Sequence, residues 1–281
     1  MGYPIVSRRE LSSDSVLLVV KAPHVAQSAK PGQFIILRTC EEGERVPLTI
    51  ANTDSNEGTV TIMFQVVGKT TRELAGFELG QEICDFLGPL GVPTEIENFG
   101  SVVAVGGGFG AAVLYPLVKA LKAAGNRITI INGARSENLL ILEDELQIMS
   151  DEYYVTTDDG SKGRGGFVTD VLSELISTSD SRPQRVFAVG PVPMMRAVAE
   201  TTRPAGIKTI VSLNPIMVDG TGMCGACRVE IGGQTKFACV DGPEFDAHQV
   251  NFDLLGKRLS MYKAEEAQCL ARMTGKDCRR I

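Results

Sequence analysis

Three cysteines and an aspartate near the carboxyl end of the chain have the spacing of a metal site. Asp219, Cys224, Cys227 and Cys239 form the pattern D-x4-C-x2-C-x11-C within a glycine-rich stretch. Loops that bind plant-type [2Fe–2S] clusters have the spacing C-x4-C-x2-C, followed by a distant fourth cysteine. Thiolates suit iron because they are soft and charged, and a carboxylate can replace one as a harder ligand. The pattern therefore predicts a [2Fe–2S] site with Asp219 in the first ligand position.

Two other assignments of these residues stay open. A structural zinc ion could be bound by the three cysteines with His248 or Asp219, although zinc loops rarely need so many glycines between ligands. Alternatively, Cys269 or Cys278 in the tail could supply the fourth iron ligand. The two remaining cysteines lie in apolar, strand-like contexts and are expected to be unreactive core thiols: Cys40 and Cys84.

A glycine run between an apolar strand and an apolar helix is the second chemical signal. Residues 106–111 satisfy the pattern G-x-G-x-x-A. Glycine suits such a loop because a Cβ would keep the backbone from a pyrophosphate, whose charge faces the N-terminus of the helix. A tight turn without a ligand is the alternative. No acidic residue follows about 20 residues later, where Arg135 stands instead, and this departs from the fingerprint for NAD.

Two kinds of element must position these segments. The first part of the chain predicts short strands separated by turns, which indicates a small antiparallel barrel. From residue 101 onward, short buried strands alternate with helices, which indicates a parallel sheet covered on both faces. A last helix is expected at 263–273. The expected strands are 15–20, 33–37, 59–67, 101–105, 127–131, 153–157, 185–189 and 208–211.

Composition excludes several classes of function. The chain of 281 residues is 43% hydrophobic, has a formal net charge of −6 and contains two histidines. Because it has no basic stripe and no long apolar run, neither nucleic acid nor a membrane is expected as a partner. The histidines lie far apart and outside an H-E-x-x-H pattern, which argues against metalloprotease chemistry. An odd cysteine count without an apolar N-terminal signal favours the reducing cytoplasm.

The order of barrel, glycine run and cysteine loop resembles the ferredoxin–NADP reductase superfamily over nearly the whole chain. Within it, the chain is similar to dihydroorotate dehydrogenase electron-transfer subunits. It resembles more strongly the small subunits of NADH-dependent ferredoxin:NADP oxidoreductases, also known as sulfide dehydrogenases. Asp219 in place of a cysteine, and a tail of more than thirty residues beyond His248, favour the second group. The resemblance implies an α/β plus β fold.

In this family an R-x-P-x-[ST] segment on a barrel strand binds FAD, and residues 45–50 match it. The resemblance implies that Arg45 pairs with the flavin pyrophosphate and that Thr49 lies near the flavin N5, in the catalytic position. It places Leu48 and Ile50 beside the ring. A glycine turn before a helix start with hydroxyl groups resembles the family's second FAD segment. The implied FAD-binding residues are Arg45, Pro47, Leu48, Thr49, Ile50, Val67, Gly68, Thr70 and Thr71.

The resemblance also implies a site for NAD(H) at the glycine run. The family often has a cysteine before its Gly-Pro segment on the nicotinamide side, whereas this chain has Val189. Arg135 could bind the 2′-phosphate of NADPH, so the residues themselves leave both nucleotides open. NADH is chosen over NADPH on the resemblance alone. The implied nucleotide-binding residues are Gly106, Gly107, Gly108, Gly110, Arg135, Asp158, Gly190, Pro191 and Met194.

The implied organisation has three domains. These are an FAD-binding β-barrel at 1–97, an NAD(P)-binding α/β domain at 98–214, and a [2Fe–2S] domain with the tail at 215–281. The implied function is electron transfer between NAD(H), FAD and the cluster, and from there to a larger subunit. That subunit would hold a second flavin and [4Fe–4S] clusters and would pass electrons to ferredoxin. The electron-transfer subunit of NAD-dependent dihydroorotate dehydrogenase is one alternative. A zinc-stapled regulatory module that binds nucleotides is the other.

Overall fold

The computed structural model describes residues 2–177 and 182–272. Its first part contains seven strands and two short helices. They are β1 (Tyr3–Ser12), β2 (Ser15–Lys21), α1 (Pro23–Ser28), β3 (Phe34–Arg38), β4 (Val46–Asp54), β5 (Thr59–Gln65), α2 (Lys69–Ala75), β6 (Glu82–Ile83) and β7 (Asp85–Leu90). All strand pairs among them are antiparallel.

These strands form a nearly closed barrel. Their order in the sheet is β6-β1-β2-β5-β4-β3-β7. The two edge strands, β6 and β7, are separated in the chain only by Cys84, so the sheet must curl until its edges meet. Alternate apolar side chains point inward and fill the interior. Leu18, Ile35 and Ile62 are among those that are fully buried, and the predicted barrel is confirmed.

The middle of the chain forms a parallel sheet with helices on both faces. Its elements are β8 (Ser101–Gly107), α3 (Gly110–Ala123), β9 (Arg127–Ala134), α4 (Glu143–Met149), β10 (Glu152–Thr157), β11 (Arg164–Gly165), α5 (Val168–Ser177), β12 (Arg185–Val189), α6 (Val192–Thr202) and β13 (Lys208–Ser212). The strand order β11-β10-β9-β8-β12-β13 is parallel throughout. The apolar run of β8 is buried because helices cover it on both sides, as the pattern predicts.

The last part of the chain carries the cysteine loop. Its elements are β14 (Arg228–Ile231), β15 (Gln234–Phe237), α7 (Ala238–Asp241), β16 (Glu244–Asp246), α8 (Phe252–Leu259) and α9 (Lys263–Arg272). β14 and β15 form a hairpin, and β16 adds an antiparallel strand to the edge of the parallel sheet beside β13. The sequence patterns do not predict β1 or β16. The last residue of the expected tail helix, 273, lies outside the described residues.

One buried apolar cluster joins all three parts. It contains Phe34 and Ile36 of the barrel, Val105 of β8, and Cys227 and Cys239 of the cysteine loop. A second cluster joins the outer face of the barrel to α3. The barrel, the parallel sheet and the cysteine loop are therefore held in fixed contact by shared packing. None of the described helices is both long and apolar enough to cross a bilayer.

A half-buried carboxyl group lies where the segment after the barrel meets β16. The Thr94 hydroxyl donates a hydrogen bond to Glu244 Oε1 over 2.8 Å. Glu244 is in register with Ser212 of β13. Burial raises the pKa of Glu244 to about 7, because the carboxylate loses its hydration there. The protonated form is therefore the stable one at this junction below neutral pH.

This carboxyl should make stability depend on pH. The folded pKa of about 7 exceeds the ordinary value of 4.5, so the contribution is complete below pH 4.5 and is lost as the pH rises toward 7. Glu244→Gln keeps an acceptor for Thr94 and stays neutral. We expect it to raise the free energy of unfolding at pH 8 by roughly 1–3 kcal/mol, with no gain at pH 4.

Urea unfolding at both pH values measures this difference. Glu57→Gln, at an exposed position, is the matched control, since its carboxyl loses no hydration on folding. Equal pH dependence in both variants would show that burial of Glu244 has no influence on stability.

Candidate functional site

The glycine run lies at the carboxyl edge of the parallel sheet, where the strand order reverses. β8 has β9 on one side and β12 on the other, and open α/β sheets bind ligands in the crevice beyond such neighbouring strand ends. Gly108 has a φ of +54°, and a Cβ there would have no atom within 4 Å. The 14-residue helix α3 begins nearby at Gly110. Its first N–H groups and its dipole suit a pyrophosphate in this open space.

The segment at the start of α6 forms the opposite wall of this crevice. A Cβ on Gly107 would collide with the sulfur of Met194, and a Cβ on Gly110 would collide with the carbonyl oxygen of Val189. A Cβ on Gly190 would lie 2.9 Å from Cε of Met194. Gly107 and Gly110 are therefore required by packing between the two strand ends. Gly108 is the position of the run that stays open for close approach of a ligand.

Arg135 and Asp158 follow the ends of two neighbouring strands. β9 and β10 are paired to their last residues, Ala134 and Thr157, and the main-chain N–H of Asp158 donates to the Ala134 carbonyl over 3.0 Å. Both side chains are exposed. Phe167 lies on the next loop at the same edge, with 63% of its surface exposed. This edge thus offers one positive side chain, one negative side chain and an aromatic surface to one side of the glycine run.

The R-x-P-x-[ST] segment lies at the start of β4. Arg45 is exposed just before the strand, and Thr49 is half-buried in register with Phe34 of β3. Ile50 is only 4% exposed and belongs to the barrel interior, against which Leu48 also packs. Since side chains alternate along a strand, Pro47 and Thr49 face the other way. Contact of Leu48 and Ile50 with a flavin ring stays a prediction, and their side chains are mainly core residues.

The second expected FAD segment is tied to the first by a hydrogen bond. Thr70 is buried, and its hydroxyl donates to Glu44 Oε2 over 3.3 Å. Glu44 is the neighbour of Arg45. The Thr71 hydroxyl accepts from the main-chain N–H groups of Val67 and Gly68, over 3.1 and 3.0 Å. Both hydroxyl groups therefore shape the turn before α2 and hold it beside the Arg45 segment.

Two of the predicted cluster ligands are close together inside the protein. Cys227 and Cys239 are 1% and 2% exposed, and their sulfurs are 3.2 Å apart. Burial, reinforced by Cys227, raises the pKa of Cys239 to about 12. Cys224 is exposed at the tip of the loop. Thiols are donors that suit iron, whose charge would favour their thiolate forms.

Asp219 closes the same loop through its carboxylate. Its Oδ1 accepts from the N–H of Thr221 over 2.8 Å, and its Oδ2 accepts from the N–H of Cys224 over 2.7 Å. These main-chain donors, Thr221 first, lower the pKa of Asp219. Among residues 2–177 and 182–272, no three His, Cys, Asp or Glu side chains converge on a point that could hold one metal ion. The loop brings Asp219 next to Cys224, and the cysteine pair lies deeper.

The cysteine loop rests directly on the barrel. Gly220 has a φ of +78°, and a Cβ there would lie 2.6 Å from Leu90 Cδ1 and 2.9 Å from Ile36 Cδ1. Phe34, next to them in β3, is in register with Thr49 on one side and with Leu90 on the other. The loop that carries the expected cluster ligands thus rests on β3 and β7, and β3 is paired with the strand that carries the expected flavin position.

The alternative ligands lie elsewhere. His248 Nε2 is 2.9 Å from the Thr202 hydroxyl beside α6, and burial lowers its pKa. Cys269 is on α9, which contacts α2 of the barrel. Cys278 lies outside the described residues. The prediction that Cys40 and Cys84 are core thiols is wrong, since both are only half-buried, in the segments that join barrel strands.

Two arginines at the cysteine loop have no counterpart in the sequence-based predictions. Arg228 donates to the Gly225 carbonyl over 3.0 Å, and Arg258 donates to the Ala226 carbonyl over 2.9 Å. Together with Cys224 they line a cavity of about 260 Å³. Arg228 could have been suspected, because it directly follows a predicted ligand cysteine. Arg258 comes from α8, and no local pattern points to it.

Two family models match the chain. Residues 104–200 match an oxidoreductase NAD-binding domain, and residues 214–251 match the iron–sulfur cluster binding domain of dihydroorotate dehydrogenase B. They coincide with the glycine run and its sheet, and with the cysteine loop. The first thus includes the crevice at Gly108, and the second includes all four predicted cluster ligands.

Curated proteins similar to this chain are described as electron-transfer subunits. A dihydroorotate dehydrogenase B (NAD(+)) electron transfer subunit homolog of Thermotoga maritima is 50% identical, over 93% of this chain and 92% of its own length. A probable dihydroorotate dehydrogenase B (NAD(+)) electron transfer subunit of Methanopyrus kandleri is 36% identical, over 86% of this chain and 88% of its own length.

Solved structures agree with these matches. A chain from the structure of an NADH-dependent reduced ferredoxin–NADP oxidoreductase, which was studied for flavin-based electron bifurcation, is 47% identical with a TM-score of 0.91. The match covers 98% of this chain and 99% of that chain. The chain is thus an NAD(P)H-dependent oxidoreductase subunit whose cofactors are FAD, a [2Fe–2S] cluster and NAD(H). It belongs to the family of dihydroorotate dehydrogenase B electron-transfer subunits and their homologues, within the ferredoxin–NADP reductase superfamily.

Proposed function

We propose that this chain is the small subunit of a cytoplasmic electron-bifurcating complex, in which it oxidises NADH and relays electrons to a larger subunit. The contact of Gly220 with Leu90 and Ile36 carries this proposal. It holds the cluster loop against β3, the strand paired with that of Thr49, which suits transfer of electrons within one subunit. The likeness to the ferredoxin–NADP oxidoreductase chain supports the bifurcating reading.

The nucleotide would bind at the crevice between β8 and β12. Gly108 and the N-terminus of α3 would hold its pyrophosphate. Arg135 and Asp158, at the neighbouring strand ends, would meet the adenosine ribose. Residues 190–194 would meet the nicotinamide side, where the exposed Pro191 and the half-buried Met194 would offer apolar surface. Fixed groups of this kind accelerate hydride transfer by alignment, without an acid or a base.

FAD would be held along the outer side of β4. Arg45 is exposed and would pair with the pyrophosphate, and the turn before α2 would bind beside it, since Thr70 and Glu44 tie the two segments together. Thr49 would orient the reactive edge of the ring. When bound, FAD supplies a group that can accept a hydride, and the [2Fe–2S] cluster supplies a group that carries single electrons. Asp219, Cys224, Cys227 and Cys239 would hold that cluster.

The larger subunit would supply the chemistry that this chain lacks. The sequence of this chain contains no further cysteine group with [4Fe–4S] spacing. The partner would therefore hold the second flavin and the [4Fe–4S] clusters, and it would exchange electrons with ferredoxin. The names of the curated relatives favour a second candidate, the electron-transfer subunit of dihydroorotate dehydrogenase B. The two candidates differ in the partner they require.

Purification of the tagged chain under anaerobic conditions tests the function. We expect bound iron, sulfide and FAD, bleaching of the flavin absorbance by NADH, and then a [2Fe–2S] electron paramagnetic resonance signal. A copurifying subunit with flavin and [4Fe–4S] clusters supports the bifurcating complex, whereas a barrel dehydrogenase with FMN supports the second candidate. Zinc without iron would overturn both and leave the zinc-stapled module.

Arg45→Ala should weaken FAD binding by tenfold or more. A charged hydrogen bond of this kind contributes about 1.5–3 kcal/mol, and Arg45 is exposed at the start of β4, so its loss should leave the barrel folded. Flavin fluorescence during titration of the FAD-free protein measures the dissociation constant. Lys30→Ala removes an exposed charge from the same barrel and is the control. Equal affinities in both variants would remove Arg45 from the FAD site.

Substitutions of Asp219 separate an iron ligand from a residue that only closes the loop. Asp219→Asn keeps an oxygen acceptor for one of the N–H groups of Thr221 and Cys224 but loses the charge. Asp219→Cys restores four thiolates. If Asp219 binds iron, both variants should change the electron paramagnetic resonance spectrum of the cluster, and the cysteine variant should keep full iron content. An unchanged spectrum in Asp219→Asn would show that Asp219 is not a ligand.

A further inference from the structure

Helix α8 is fixed against the cluster hairpin. Phe252 and Leu255 are buried in the apolar cluster that contains the cysteine pair. The side chain of Asn251 caps the helix at the N–H of Leu254 and also donates to Glu230 Oε1 of β14 over 2.8 Å. Because both its start and its inner face are held, the position of its last turn is set by packing. That last turn carries Arg258.

Arg258 and Arg228 bind two successive carbonyl groups of the cysteine loop. These are the carbonyls of Ala226 and Gly225, which lie between Cys224 and Cys227. A trans peptide group is planar, and its N–H points opposite to its C=O. Since the arginines bind both carbonyls on one side of the loop, the N–H groups of Ala226 and Cys227 point to the opposite side.

The two guanidinium groups have no carboxylate partner among the described residues. The Nε–H of Arg258 is buried and, within the same part of the chain, has no hydrogen-bond acceptor. Arg258 is half-buried and Arg228 is exposed, so the cost of the missing partner falls on the buried Nε–H of Arg258. The cavity of about 260 Å³ places both arginines next to Cys224, a predicted ligand. An iron–sulfur cluster with three thiolates and a carboxylate is anionic and would provide the missing counter-charge.

We propose that Arg228 and Arg258 are positioning residues that raise the reduction potential of the cluster. They orient two peptide N–H groups toward the cluster side of the loop, and they keep two positive charges beside it. Reduction adds negative charge, which both effects stabilise. The inference rests on the proposed [2Fe–2S] role of the loop, and neither arginine is itself a ligand. Favouring the reduced cluster makes it a better acceptor of electrons.

The midpoint potential of the cluster in the FAD-loaded protein tests this inference. Redox titration is followed by the electron paramagnetic resonance signal of the cluster. We expect Arg258→Gln to lower the equilibrium constant for reduction about tenfold, which is about 59 mV for one electron. Arg258→Lys keeps the charge and should give a smaller shift. Lys257→Gln removes an exposed charge from the adjacent position of α8 and should shift the potential least.

The outcomes separate this inference from the proposed function. A full cluster signal with an unchanged potential in Arg258→Gln overturns the inference but leaves the function standing. An equal shift in Lys257→Gln also overturns it, because net charge alone would then be the cause. If Arg258→Gln binds no cluster, Arg228→Gln decides by the same criteria. A wild-type protein without an iron–sulfur signal overturns the proposed function itself.

Discussion

The contact between the barrel and the cysteine loop is the constraint on which the rest of the structure depends. Leu90 and Ile36 leave no room for a Cβ at Gly220, and Ile36 and Phe34 are buried in the same apolar cluster as Cys227 and Cys239. Burial of each of these two barrel side chains contributes about 1.5–3 kcal/mol. The loop is thereby fixed against β3, so the distance between the two proposed redox centres is set by core packing.

The same buried cluster extends to the nucleotide crevice. Val105 and Ala188 belong to it, and they come just before the ends of β8 and β12, where the crevice opens. Packing of Gly107 and Gly110 against Met194 and Val189 then fixes the width of the crevice. Three proposed binding regions that lie far apart in the chain are held by one continuous core, which suits ordered transfer from nucleotide to flavin to cluster.

Local patterns could predict much of this. The parallel sheet follows from apolar strands alternating with helices, and the cysteine loop follows from spacing alone, because both signals lie within short segments. Contacts between distant segments could not be predicted. Arg258 reaches the loop from α8, and Ile50 proves to be a barrel core residue. The glycine pattern predicts ligand contacts throughout the run, whereas Gly110 serves packing, which only the tertiary structure decides.

Strand β16 has a consequence for the modularity of the protein. After the cluster hairpin the chain returns to pair with β13, so the cluster-binding segment is an insertion between two strands of the nucleotide-binding sheet. The segment matched as cluster-binding, 214–251, includes β16, so removing it as a unit would expose the edge of that sheet, with its unpaired N–H and C=O groups. Unlike a ferredoxin domain appended by a linker, this cluster module cannot be gained, lost or exchanged in evolution without rebuilding the edge of its neighbour.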